Sequence, residues 1–233
     1  MICPDKEYFL FLVRHFKKGD MMNYLELINK CLLELNYKQV NAFSELIKND
    51  HKKIKTIINI INKEICNIEG WNFLLRRTNL TLPANTTEIL NTVNGRILYL
   101  FIDGQRYDFC DDIESFVTGK AKSCTYSSLA QNLLFPKFSE PKTLDIIYFT
   151  KNCVIDENNN EKVEMENETD TSLIPMPFVE QLLVYGACLR LKANPQYFKF
   201  SYWMSMYKEA LSNLKSKTSA SVLNAPVVNI FRR

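Results

Sequence analysis

Four aspartates crowd one short stretch, "IDGQRYDFCDD", where Asp103, Asp108, Asp111 and Asp112 make the densest set of hard oxygen ligands for a divalent cation. Plainer work explains most of them. Asp103-Gly104 is a hairpin turn pair, and Asp108 and Asp112 are loop residues, so no metal site is expected there. Asp145 and Lys151 in "TLDIIYFTK" distantly resemble the acid and lysine of metal-dependent nucleases, but the spacing is wrong and the apolar alternation is that of a half-buried strand. The chain has two histidines, His15 and His51, which rules out a His-rich metal centre and leaves little for a Cys–His nucleophile. Its seven cysteines are scattered, never form C-x-x-C, and read as buried reduced thiols. No phosphate-cradling, nucleophile-elbow or H-E-x-x-H motif is present, and six glycines leave little room for one. Catalytic, cofactor-binding and metal-binding residues are therefore none, and the chain reads as a non-enzyme.

Composition narrows the class. The 233 residues are 46% hydrophobic and 24% charged, with a net charge of +3, too small for a surface that coats nucleic acid. No apolar run approaches the ~20 residues of a membrane span, and the chain reads as a soluble intracellular protein. Residues 1–21 read either as an upstream over-reading, with "KKGD" as a translated ribosome-binding site and the start at Met21 or Met22, or as an N-terminal arm.

The elements follow from periodicity. Leu25, Ile28, Cys31, Leu32 and Leu35 predict a helix opened by an Asn23-x-x-Glu26 capping box. Ile54, Ile57, Ile58, Ile61, Ile65 and Ile68 predict a long helix with Asp50 as N-cap and Gly70 as its stop. Trp71 and Phe73 then fold back as a core plug, with Trp203 later in the chain adding to it. From residue 78 the pattern turns to strands: "TNLTLP", "RILYLFI" and "QRYDF" about Asp103-Gly104, and later "TLDIIYFTKNCVI" and "KVEMEN" about "DENNN". "YSSLAQNLLF" reads as a short helix. Asp156, Glu157, Glu161, Glu164, Glu166, Glu168 and Asp170 against Lys162 alone read as a solvated acidic hairpin. Phe178, Leu182, Tyr185, Leu189 and Ala193, then Phe200, Trp203, Tyr207, Leu211 and Leu214, predict an αα-hairpin joined at Asn194-Pro195. The aromatic rings of the second helix could stack bases, but their helical spacing points to core packing. The last sixteen residues, 218–233, read as a flexible tail with an apolar plug and two arginines.

The expected fold class is α+β: a mainly helical bundle of two N-terminal helices (22–77) and a C-terminal αα-hairpin (174–217), with a β-rich insertion (78–173) between them.

The order of elements, with "Trp71-Asn72-Phe73" before "RRT" and a Val-Tyr-Gly-Ala helix joined through Asn-Pro to a Tyr-Lys-Glu-Ala helix, resembles the head-to-tail connector adaptors of tailed bacteriophages. The nearest type is the tail accessory factor that docks beneath the portal of short-tailed phages. The likeness covers roughly residues 22–217. It implies a structural virion protein, assembled in the host cytoplasm, that forms a closed ring of about twelve copies around the genome-ejection channel. The implied partners are the chain itself, the portal and the next tail protein, with DNA passing through the lumen unbound. In this picture Val227, Val228, Ile230 and Phe231 anchor the tail in the portal, and Arg232 and Arg233 reach acidic portal groups. Tyr197, Phe198 and Tyr202 are the candidate contacts between copies. The alternatives are a head-completion or tail-terminator protein and, from another class, a phage nucleic-acid-binding or nuclease accessory protein.

Overall fold

The computed structural model describes residues 21–218. The N-terminal extension before Met21 and the proposed docking residues Val227, Val228, Ile230, Phe231, Arg232 and Arg233 lie outside the described residues. The chain divides into two compact units, Met1–Leu74 with Asn152–Arg233, and Leu75–Lys151.

Among the described residues, the first unit is built on four α-helices. Helix α1 (Tyr24–Glu34) starts at the expected capping box, in which Asn23 Oδ1 accepts from the Glu26 amide at 2.9 Å and Glu26 Oε2 accepts from the Asn23 amide at 2.8 Å. Helix α2 (Asn49–Ile68) buries Ile54, Ile58, Ile61 and Ile65. Its N-cap is Lys48, so Asp50 sits inside the first turn, where its charge still complements the helix dipole. It ends at Ile68, before Gly70. Helices α4 (Phe178–Leu191) and α5 (Phe200–Thr218) form the hairpin; α3 (Ile113–Val117) belongs to the second unit. Helix α4 is apolar nearly all round and packs against α1, α2 and α5, as expected of a central helix. Gly186 makes that sandwich possible: a Cβ there would lie 3.1 Å from the Tyr207 ring and 3.2 Å from Ile61 Cδ1.

A three-stranded antiparallel sheet belongs to the same unit: β8 (Val154–Ile155), β9 (Glu161–Lys162) and β10 (Thr171–Ser172), in the order β10-β8-β9. Residues 152–173, expected within the insertion, thus group with the helices. The fastening is polar. Asn59 exchanges two 2.9 Å hydrogen bonds with the Met165 backbone, and buried Asn62 accepts from Ser172 Oγ at 2.6 Å and donates to the Cys153 carbonyl at 3.3 Å.

The second unit is one mixed sheet, ordered β1-β7-β3-β4-β5-β6-β2. Its strands are β1 (Leu75–Leu82), β2 (Glu88–Leu90), β3 (Gly95–Ile102), β4 (Gln105–Phe109), β5 (Thr125–Leu129), β6 (Asn132–Leu134) and β7 (Lys142–Thr150). Only β4 and β5 pair in parallel. The segment from Leu75 to Leu90 supplies both edge strands, so the sheet must curl until its ends are only a short loop apart. Leu82, Leu100, Ile102, Tyr107, Tyr126, Leu133, Phe135, Leu144 and Ile146 fill its interior. Asp103 and Gly104 both have positive φ, 50° and 82°, the turn that suits strand twist. Gly95 lies so close to β7 that a Cβ would sit 2.0 Å from the Phe149 carbonyl oxygen.

These sheets overturn the expectation of a mainly helical bundle. Helices hold 38% of the described residues and strands 25%, with a seven-stranded curled sheet as the largest single element. The reason is local: β2 and β6 have three residues each, too few to show an alternation. "YSSLAQNLLF", expected as a helix, is instead the β5–β6 hairpin, turning at Ala130 with φ 54°. The helix of this unit is α3 (Ile113–Val117), whose Asp112 cap accepts from the Ser115 amide at 3.2 Å.

Candidate assembly surfaces

The acidic residues of the second unit do not converge. Asp103 accepts from Lys142 Nζ at 2.8 Å, Asp108 pairs with Arg106 at 3.0 Å, and Asp112 caps α3. The Asp111 carbonyl accepts from the Ile113 amide at 2.9 Å. The Lys142 ammonium holds the Asp103 carboxyl below its ordinary range, which suits an ion-paired turn residue. Asp145 takes both arms of the Arg77 guanidinium across the β1–β7 ladder, with Nε to Oδ1 at 2.7 Å. Lys151 follows the end of β7, six residues beyond Asp145, so roughly 20 Å of extended chain separates the two. Among the described residues, no group of three or more His, Cys, Asp or Glu is placed to hold a metal ion. No helix among them is long and apolar enough to cross a membrane.

The aromatic residues singled out in the first unit, Trp71, Phe73, Tyr197, Phe198, Tyr202 and Trp203, fall into three settings. Trp71 is fully buried; its Nε1 donates to the Ile65 carbonyl at 2.6 Å, and its ring stacks on half-buried Phe73 at 5.8 Å between centroids. Trp203 is also buried but lies elsewhere, donating from Nε1 to Glu34 Oε2 at 2.9 Å. The expected core plug is thus two plugs, one against the last turns of α2 and one against the end of α1. Tyr197 stacks on Trp203 at 5.3 Å and covers it.

Phe198 and Tyr202 form the third setting. They are 75% and 51% exposed, on the first turn of α5 and the residues leading into it. Their base is rigid, because Lys199 Nζ donates to the Glu34 carbonyl at 2.9 Å beside the Trp203 bond. Tyr202 meets Tyr185 of α4 edge-on at 5.6 Å, with the two hydroxyls 3.3 Å apart. Burial first, then the Tyr202 hydroxyl and the Glu34 and Glu180 carboxylates, push the Tyr185 phenol well up, so it stays neutral. Of Tyr197, Phe198 and Tyr202, the structure brings all three to one end of the hairpin but leaves only the last two open.

The acidic segment 156–170 is folded tightly onto itself. Asp156 Oδ1 accepts from the amides of Asn158 at 2.9 Å and Asn160 at 2.8 Å, and buried Asp170 accepts from those of Glu166 at 2.7 Å and Asn167 at 2.9 Å. The Asn160 bonds lead in holding the Asp156 carboxyl below its ordinary range. Lys63 pairs with Glu164. Sequence reasoning missed Asn59 and Asn62, which hold this segment and its sheet on α2; the available signal was two amides set among the isoleucines of an apolar stripe.

No protein-family model matches this chain, and no curated protein matches it.

Proposed function

We propose that this chain is a non-enzymatic assembly subunit, a head-to-tail connector of a virion that forms a ring beneath the portal and lines the genome-ejection channel. The observation that carries the reading is the open aromatic crest of Phe198 and Tyr202 on an otherwise packed hairpin. Exposed rings held by buried neighbours bury large area at low entropic cost when a partner arrives, which is how interface anchors work. The same hairpin holds the Val-Tyr-Gly-Ala and Tyr-Lys-Glu-Ala segments that resemble connector adaptors. In this reading the copies meet through the helical unit, and the terminal residues Val227 to Arg233 engage the portal.

The test is co-expression of the chain with the portal protein encoded by the same genome, followed by negative-stain class averages. Rings of this chain on the portal are the expected result. A chain that stays monomeric and does not retain portal overturns the reading.

A further inference from the structure

The first unit carries a second pair of features that the aromatic crest does not use. One is a lysine-rimmed groove. Two hollows, of about 300 and 320 Å³, share Tyr37 and Asp50 around the start of α2 and the end of α4. Lys38 and Lys48 line the first, and Lys53 and Lys192 the second. These four lysines have no carboxylate within ion-pair distance among the described residues, whereas Arg190 beside them is matched by Glu64. Glu45 lines the first hollow and Asp50 lines both, so four lysines without ion pairs face two carboxylates, and the remaining positive charge on this concave surface favours an acidic ligand.

The other feature is the acidic segment. Glu166 and Glu168 are exposed and make no ion pair among the described residues, and Val163 next to them is 43% exposed. The backbone of this segment is already fixed by the Asp156 turn, the Asp170 cap and the Asn59 clamp, so docking it orders nothing new.

The two features lie on different faces of α2. Asn59 and Lys63 hold the acidic segment, while Lys53 and Ile57 line the groove and Glu64 binds its Arg190. At 100° per residue these faces are about 120° apart. One copy therefore cannot satisfy its own groove, but the next copy can.

We infer that neighbouring copies of this chain join head to tail, the acidic segment 156–168 of one copy seating in the lysine groove of the next. This inference rests on the ring reading and names its contact. A contact between two different patches is heterologous, and when its rotation closes it generates a ring.

Three variants test it in the portal co-expression: Lys53→Glu with Lys192→Glu, Glu166→Lys with Glu168→Lys, and all four substitutions together. Far-ultraviolet circular dichroism of each variant checks that these surface changes leave the fold intact. Each pair alone is expected to cut ring yield at least tenfold, and the four together to restore it. Complete rings from both pairs alone overturn the inference while the ring reading stands. Absence of rings from the unaltered chain overturns both. A third arm titrates a short DNA duplex at low salt: binding that the Lys53→Glu, Lys192→Glu variant abolishes assigns the groove to nucleic acid and also overturns the inference.

Discussion

At the residue scale, single side chains decide whether a local signal becomes structure. Glu34 is the clearest case: one carboxylate accepts from the buried Trp203 indole at 2.9 Å and from Lys199 at 3.4 Å, tying the end of α1 to the start of α5. Glu34→Ala leaves that indole N–H buried without a partner, and urea denaturation should show a loss of about 1–3 kcal/mol. Asp156 sets a pH limit on the acidic turn. Its folded carboxyl lies below the ordinary value, so its contribution is complete above about pH 4, the unfolded range, and is lost as pH falls through the lower folded value. The protection of the Asn158 and Asn160 amides, relative to the free-peptide exchange rate at the same pH, should fall on acidification below that point while α4 amides stay protected. Retained protection in the turn would show that Asp156 does not organise it. Aspartate here was legible as part of a charge run, but its bond pattern was not, because charge runs do not say which carboxylate turns inward.

At the element scale, the α4–α5 hairpin joins stability to surface. Part of its buried face follows from spacing: Phe178, Leu182, Trp203 and Leu214 are buried on the expected stripe, while Ala193 lies exposed beyond α4, and Gly186 admits Tyr207 and Ile61. Its open end does not follow from spacing, since Tyr197, Phe198 and Tyr202 have the same character in the sequence and part company only when Tyr197 stacks on Trp203. The double variant Phe198→Ser, Tyr202→Ser is expected to keep the melting temperature within about 3 °C and to lose ring assembly on the portal, as read by thermal denaturation and negative stain. A large drop in melting temperature would place these rings in the fold instead of the interface. For the strands the elements were less legible. The Asp103-Gly104 hairpin declared itself by its turn pair, whereas β5–β6 turns at Ala130, which carries no turn signal.

At the scale of the whole molecule, the two ends of the second unit lie side by side. Leu75 opposes Phe149 in the β1–β7 pairing, so its two ends meet at one edge of its own sheet. Ends this close together allow a unit to be inserted into the sequence of another. With nine buried side chains in a curled sheet, a polypeptide of residues 75–151 should fold alone, showing a cooperative thermal transition and a strand-rich circular dichroism spectrum. A spectrum without structure would mean that the sheet depends on the rest of the chain.

Features that neighbours along the chain decide were legible without the fold. The apolar stripes of α1, α2, α4 and α5, the Asn23–Glu26 box and the Asp103-Gly104 turn all depend on residues within a few positions of each other. Only the tertiary structure decided that the β1–β2 segment closes a curled sheet, that residues 152–173 pack with the helices, and that Asn59 and Asn62 are clamps. It also decided which lysines and glutamates remain unpaired. The reason is separation in sequence: Asn59 meets Met165 across 106 residues and Trp203 meets Glu34 across 169, and no local pattern records partners that far apart.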